Sequence, residues 1–189
     1  MEKLTVHMPV ANQHHDDENA QPQRARLNYR QIAPEALRAQ LALETYIRGC
    51  GLEHSLLELV KVRASMINGC AYCIDMHTKD ARVAGETEQR LYAVSVWHEA
   101  PFFTPRERAA LRWTDALTAI AREGVSDELF REVRAHFSEK ELVDLTTAVN
   151  TINGWNRLAV SFRTPVGDYV PGSSGKPASA ASGAQSAAA

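Results

Sequence analysis

Two cysteines and a histidine stand close together near the middle of the chain. On a helix, Cys70 and Cys73 are three residues apart, and His77 lies four residues beyond the second thiol. These spacings place the three side chains on one helix face. The thiolate is the reactive form of cysteine, and a nearby imidazole or a helix N-terminus favours it. The pattern therefore indicates thiol redox chemistry, in which one oxidised thiol lies close enough to the other to form a disulfide.

A carboxylate can join this group only if the chain bends. Glu58 lies twelve residues before Cys70, which on one unbroken helix is about 18 Å along the axis. Glu58 therefore reaches the cysteines only if the helix breaks at Asn68 and Gly69 and the two halves pack side by side. A new helix beginning near Gly69 would also place both sulfurs at the positive end of its dipole. We expect burial to raise the pKa of Glu58, so that it exchanges protons near neutrality.

Other uses of the same residues are compatible with the sequence. Cys70 and Cys73 are also interpreted as small buried residues, or as zinc ligands together with His77. Structural zinc needs four ligands, and Glu58 or His54 would supply the fourth. A haem attachment is excluded, because that motif places a histidine directly after the second cysteine and this chain has isoleucine there.

Two further residues have simpler interpretations. Glu58 is alternatively a surface partner of Lys61 or Arg63. Cys50 lies between two glycines and is predicted to be an unreactive turn residue. Neither interpretation involves redox chemistry.

The elements that would position these side chains are helical. Pro34 and Pro105 suit first helical positions, where the missing N–H costs nothing. Thr104-x-x-Glu107 and Ser138-x-x-Glu141 are capping boxes. No segment alternates with period two, so we predict an all-α domain of about seven helices, the fourth running to Trp97 and the last to about Phe162.

A short internal repeat accompanies this pattern. The triplet Ile-Asn-Gly occurs at residues 67–69 and again at residues 152–154. It is either a coincidence or the mark of two similarly built helix junctions.

The ends of the chain differ from its middle. Of the 189 residues, we predict a disordered arm at 1–26, a helical domain at 27–165, and a disordered tail rich in Gly, Ser, Ala and Pro at 166–189. The arm contains a cluster, His14-His15-Asp16-Asp17-Glu18, that is interpreted as solvated or as a weak metal site.

Composition excludes several classes of protein. A formal net charge of −2 gives no basic field, so nucleic acid is not an expected partner. No apolar run is long enough to span a membrane, and the start of the chain lacks a signal peptide, so we expect a cytoplasmic location. Three cysteines are too few for a disulfide-stapled secreted scaffold.

The motif resembles that of a known family. Glu58, eleven intervening residues, and then Cys70-x-x-Cys73-x-x-x-His77 are similar to the core motif of alkylhydroperoxidase D (AhpD)-like proteins, in the carboxymuconolactone decarboxylase superfamily. The resemblance covers about residues 27–163 and extends to the segments at 68–73, 79–82, 103–108 and 153–157. The decarboxylases of the superfamily lack the cysteine pair, so their chemistry is not implied.

The resemblance implies a mechanism and an assembly. It implies an all-helical AhpD-like fold, a homotrimer or homohexamer, and reduction of a small hydroperoxide. Cys73 would attack the peroxide, Cys70 would resolve it as a disulfide, and His77 with Glu58 would form a proton relay. Tyr72 stands where well-known peroxidase members carry a histidine, and tyrosine is a poor base near pH 7.

No bound cofactor or metal is expected. The chain has no Gly-x-Gly-x-x-Gly run for a flavin or nicotinamide. An external dithiol protein, lipoyl-bearing or peroxiredoxin-like in the family, would recharge the enzyme. The alternatives are a non-enzymatic redox sensor or stress-associated binding protein that uses the same dithiol as a switch, and a small structural metal protein.

Overall fold

Over residues 24–172, which the computed structural model describes, the chain is helical and contains no β-strand. The cluster at residues 14–18 and the greater part of the two predicted ends lie outside this range. The helices are α1 (Tyr29–Ile32), α2 (Pro34–Arg48), α3 (His54–Ile67), α4 (Ala71–Val83), α5 (Glu88–Ala93), α6 (Pro105–Thr118), α7 (Ile120–Glu123), α8 (Asp127–Arg134) and α9 (Glu139–Phe162). The all-α fold predicted from the sequence is confirmed.

Seven of these helices correspond to the seven predicted ones, and α1 and α7 are additional single turns. The fourth predicted helix is shorter than expected. It ends at Ala93 and continues as one 3-10 turn, Val94–Val96. Valine and serine are weak helix formers, and the Arg63 guanidinium takes the carbonyl oxygens of Val94 and Ser95, with N···O distances of 3.5 and 2.9 Å.

The helix ends follow the local sequence signals. Thr104 and Ser138 each close a capping box with a glutamate three residues later. Pro34 and Pro105 occupy first-turn positions. These caps satisfy backbone N–H groups that a helix N-terminus leaves unpaired, and they explain why these helix starts could be predicted closely.

Helix α3 is the centre of the fold. It packs against α4, α6 and α9, and its buried positions run almost all the way round, from Leu56 to Ser65. A helix that is buried on all faces belongs to the interior of a domain. Charged side chains on α3 therefore lie inside the protein, including Glu58 and Lys61.

The break required near Gly69 is present. Asn68 caps the C-terminus of α3, Gly69 adopts a φ of 64°, and Cys70 caps the N-terminus of α4. A left-handed φ suits glycine because it has no Cβ. The chain thus turns back within three residues, and α4 packs alongside α3.

The second Ile-Asn-Gly triplet is not a helix junction. Residues 152–154 lie inside α9, which continues unbroken to Phe162, so the interpretation as two similar junctions is wrong. The side chain of Gln40 lies where a Cβ of Gly154 would stand, with Nε2 2.8 Å from that position, and donates to the carbonyl of Thr151 at 2.9 Å.

The predicted domain boundaries, after residue 26 and after residue 165, stay predictions. Residues just outside them contact the helices. The backbone N–H of Arg26 donates to the carbonyl of Phe162 at 2.9 Å. Lys79 on α4 donates to the carbonyls of Gly167 and Tyr169, at 3.1 and 3.0 Å.

Between residues 24 and 172, no helix combines the length and hydrophobicity needed to cross a membrane.

Candidate active site

A disulfide joins Cys70 and Cys73 at the start of α4, with the Cα atoms 5.4 Å apart. The Cys70 sulfur accepts the backbone N–H of Cys73 at 3.3 Å, in the manner of an N-cap side chain. Both sulfurs therefore lie at the positive end of the α4 dipole, as the sequence predicted. After reduction, this position favours a thiolate over a thiol.

The disulfide is enclosed by apolar side chains. Each cysteine is 1% exposed. The pair packs with Ala64 on α3 and with Ile152 and Ala159 on α9, and Tyr72 lies at the edge of this cluster. Helix α9 therefore forms a wall of the redox site, a role that the sequence alone did not assign to it.

Glu58 and His77 meet beside the disulfide. The Nδ1 atom of His77 lies 2.8 Å from Oε2 of Glu58. The two residues are 5% and 4% exposed. The bend at Gly69 thus brings Glu58 to the face of α4 that carries Cys73 and His77, although they are far apart in sequence.

The expected pKa of Glu58 was wrong in direction. Burial by itself raises the pKa, but the hydrogen bond from His77 and the positive charges of His77, Lys61 and His54 outweigh it and lower the pKa from 4.5 to about 2. Glu58 is therefore an anion at neutral pH. An anionic carboxylate only accepts hydrogen bonds, so Nδ1 of His77 must carry the proton. Its Nε2 is then the nitrogen left to exchange protons.

Two residues of this site were missed or misjudged from the sequence. Lys61 donates to Glu44 on α2 at 2.7 Å and lies 3.4 Å from Oε1 of Glu58. The contact between Lys61 and Glu58 is buried and not a surface pair, and Arg63 instead pairs with Asp115 at 2.6 Å. The apolar residues on both sides of Lys61 were the available signal of its burial. No local signal pointed to Glu44.

Asp80 lies one turn after His77 and accepts the Tyr169 hydroxyl on both carboxylate oxygens, at 2.7 and 2.9 Å. Among residues 24–172, potential metal-ligating atoms of Glu58, His77 and Asp80 lie within 4.8 Å of one another. The Lys61 ammonium beside Glu58 opposes a further cation there. The zinc set considered from the sequence used both sulfurs, which are bonded to each other in this structure.

A cavity of about 140 Å³ lies next to Glu58. Glu58, Leu59, Ala81 and Gly85 are among its lining residues. A cavity of this size holds water molecules. Water in this cavity would therefore lie next to Glu58.

Two other residues were singled out from the sequence, Cys50 and His54. Cys50 has a free thiol and is half-buried. His54 is exposed at the start of α3. It affects the site through its charge near Glu58.

Comparison with known proteins identifies the family. The carboxymuconolactone decarboxylase family model matches residues 34–116. The uncharacterized protein YdfG of Bacillus subtilis is 44% identical over 137 residues, which are 72% of this chain and 93% of YdfG. The chain therefore belongs to the carboxymuconolactone decarboxylase family, and within it to the AhpD-like proteins.

Solved structures agree with this assignment. A protein of unknown function from Agrobacterium tumefaciens, proposed to be the antioxidant defence protein AhpD, is 49% identical, with a TM-score of 0.74 over 76% of this chain and 99% of that one. An uncharacterized peroxidase-related protein with an AhpD core, from Ralstonia eutropha, is 24% identical, with a TM-score of 0.66 over 74% of each chain. At that identity the second comparison shows the fold alone.

Proposed function

We propose that the chain is an oxidoreductase of antioxidant defence that reduces hydroperoxides, and that also acts on disulfides, through the pair Cys70 and Cys73. The observation that carries the proposal is the disulfide at the N-terminus of α4 with the Glu58–His77 pair beside it. The likeness to the Agrobacterium protein supports the same role, because that protein is itself proposed to act in antioxidant defence.

The first step uses the reduced protein. The Cys73 thiolate attacks the terminal oxygen of the hydroperoxide, an S–O bond forms, and the O–O bond breaks. The alkoxide leaves as the alcohol after it takes a proton from His77. Cys73 is then a sulfenic acid, oxidised by two electrons. Cys73 is the better nucleophile of the two because it lies one helical turn before His77, and the family resemblance makes the same assignment.

The second step closes the disulfide. The Cys70 thiolate attacks the sulfur of Cys73, the S–S bond forms, and the S–OH bond breaks. The leaving hydroxide takes the proton that the Cys70 thiol had lost and is released as water. An external dithiol then reduces the Cys70–Cys73 disulfide by exchange through a mixed disulfide and is itself oxidised. The net reaction converts one hydroperoxide and one donor dithiol into an alcohol, water and a donor disulfide.

His77 and Glu58 have different parts in the proton transfers. His77 moves the proton, because its Nε2 is free for exchange while Nδ1 donates to Glu58. Glu58 stays anionic, fixes this tautomer and stabilises the imidazolium when it forms. This differs from the relay expected from the sequence, in which Glu58 itself exchanged protons near neutrality.

The wider setting is part of the proposal. The donor would be a lipoyl-bearing or peroxiredoxin-like dithiol protein, with no bound cofactor or metal. The chain would work as a homotrimer or homohexamer in the cytoplasm. Tyr72, in place of the histidine of well-known peroxidase members, would leave His77 as the main base near the sulfurs.

One observation favours the alternative of a redox sensor. Both cysteines are almost fully buried, so peroxide and donor reach them only when the surrounding side chains move. A sensor would form the same disulfide but turn over negligibly, and would change its assembly or partner affinity instead.

Peroxide consumption with dihydrolipoamide as the donor tests the proposal. We expect steady turnover by the wild type and a fall of about 10³-fold or more in Cys73→Ser. Cys50→Ser is the matched control and should retain wild-type turnover. Disulfide formation without turnover would support the sensor instead.

Trapping of sulfenic acid tests the assignment of roles. In Cys70→Ser, peroxide should leave a sulfenic acid on Cys73. A sulfenic acid found on Cys70 in Cys73→Ser, with none on Cys73 in Cys70→Ser, would reverse the roles. If neither cysteine oxidises, the proposal is wrong.

A further inference from the structure

A group of buried charges extends the site beyond the residues of the motif. Lys61 is 4% exposed and Glu44 is 9% exposed, and their ion pair lies inside the protein. Taking an ion out of water costs several kcal/mol unless partners compensate for it. Lys61 therefore has two carboxylate partners within 3.4 Å, on Glu44 and on Glu58.

The geometry at Glu58 gives Lys61 a particular task. Each oxygen of the Glu58 carboxylate has its own donor, since Oε1 faces the Lys61 ammonium at 3.4 Å and Oε2 faces Nδ1 of His77 at 2.8 Å. Because each oxygen has its own donor, the carboxylate cannot rotate freely about χ3, a torsion whose angles are otherwise broadly distributed. Loss of Lys61 would leave one contact and a carboxylate free to turn.

Glu44 in turn holds Lys61. The shorter of the two lysine contacts, 2.7 Å, is to Glu44. Glu44 comes from α2, which contributes no residue of the motif. Burial by itself raises the pKa of Glu44, but the Lys61 charge and hydrogen bond outweigh it and lower the pKa, with smaller contributions from His77 and Arg48. Glu44 is thus a stable anion that anchors the lysine between the two carboxylates.

We propose that Lys61, anchored by Glu44, is a positioning residue of the redox site that holds the Glu58 carboxylate against Nδ1 of His77. The proposal deepens the proposed function and rests on it for the role of His77 in proton transfer. Its consequence is that α2 and α3 together select the histidine tautomer in which Nε2 exchanges protons.

Within residues 24–172, the charged groups near this cluster lie on three helices and in the turn after α4. They are Glu44 and Arg48 on α2, His54, Glu58 and Lys61 on α3, His77 and Asp80 on α4, and Glu86, which lines the same cavity as Glu58. The effect of a substitution at Lys61 can be measured on the tautomer of His77 as well as on activity.

Histidine-selective nitrogen NMR on the full-length chain tests the proposal, because it distinguishes the two neutral tautomers of His77. We expect the wild type to hold the Nδ1–H tautomer. Lys61→Met should give a mixture of tautomers. Glu44→Gln keeps an acceptor for Lys61 and should keep the wild-type tautomer. Lys140→Met, which removes an exposed lysine paired with Asp144, is the control and should change nothing at His77.

A double variant keeps the test valid if Lys61→Met alone fails to fold. Removing only the lysine leaves two buried carboxylates without their shared cation, whereas Glu44→Gln combined with Lys61→Met removes one charge of each sign. We expect the double variant to be folded and to show the same mixed tautomers as Lys61→Met. A wild-type tautomer in the double variant would overturn the proposal.

Turnover separates the two proposals. Peroxide turnover of the double variant should fall by about 10- to 100-fold, a part of the roughly 10²–10⁴-fold that positioned acid–base catalysis supplies. If the wild type shows no turnover but the tautomers differ as expected, the proposed function is wrong and the positioning role stands. If the wild type turns over and the double variant matches it in rate and tautomer, the positioning role is wrong.

Discussion

The same triplet, Ile-Asn-Gly, forms a helix break at residues 67–69 and an uninterrupted helix at residues 152–154. At the first position Gly69 has a φ of 64°, and the space around its missing Cβ is open. At the second position Gly154 is helical, and the side chain of Gln40 occupies that space. Glycine is thus used for backbone freedom in one place and for close approach in the other.

The two segments also meet in space. The Asn68 side chain donates to the side-chain oxygens of Asn153 at 2.8 Å and Asn156 at 2.9 Å. Asn156 donates in turn to the Ser65 hydroxyl at 3.0 Å. The break that aligns Glu58 with the cysteines is therefore held from outside, by amides of α9. A local signal thus predicts where a chain can bend, while tertiary contacts decide whether it does.

The largest expected effect is the loss of the amide that links the two segments. Asn156 is fully buried, and Asn156→Ala removes its bonds to Ser65 and Asn68 and leaves a cavity. We expect the free energy of unfolding to fall by roughly 2–4 kcal/mol. Urea denaturation of the disulfide form at neutral pH measures it. A loss below about 0.5 kcal/mol would mean that the two segments are not coupled through this amide.

Low pH affects the two regions differently. The α3–α4 side carries the ionisable pair Glu58–His77, whereas the α9 side carries the neutral amides of Asn153 and Asn156. The pKa of Glu58 is lowered from 4.5 to about 2 in the folded protein. Its contribution is therefore present above pH 4.5 and is lost as the pH falls through 2. Between pH 6 and pH 3 we expect wild-type stability to lose about 2 kcal/mol through this group.

Glu58→Gln tests this expectation. The variant should lack that part of the acid dependence, so that the stability difference between the variant and the wild type shrinks as the pH falls. The effect of Asn156→Ala should be nearly the same at pH 6 and pH 3. Parallel acid dependence in the wild type and Glu58→Gln would contradict the low pKa of Glu58.

The smallest effects come from the two glycines and compare the triplets directly. Gly69→Ala places an alanine in a left-handed backbone conformation, which costs about 1–2 kcal/mol. We therefore expect the variant to unfold at a lower denaturant concentration than the wild type. Gly154→Ala gains about 1 kcal/mol of helix propensity but displaces Gln40 from the Thr151 carbonyl, which costs a similar amount. We expect almost no net change. Equal losses of stability in the two variants would mean that the two glycines do not differ in their roles.

The sequence predicted the helices and the break because their signals are local. Capping boxes, first-turn prolines and Gly69 act within a few residues of the structure that they determine. The sequence also predicted that Glu58 lies against the face of α4 that carries Cys73 and His77, because only a bend at Gly69 brings them together.

The electrostatics of the site could not be predicted in the same way. The pKa of Glu58 depends on how close His77 and Lys61 come after folding, and burial alone pointed in the wrong direction. Glu44 on α2 and Tyr169 beyond the predicted domain reach the site only through tertiary packing. No spacing rule within one helix links them to the motif.

The contacts of residues 167 and 169 with α4 have a practical consequence for handling the protein. An affinity handle that replaces the chain after Pro165 would remove the hydroxyl that Asp80 accepts and the two carbonyls that hold Lys79. Asp80 lies one turn from His77, so such a truncation alters the electrostatic surroundings of the histidine. A handle fused after Ala189 keeps these contacts and is the better choice for measuring the native redox properties.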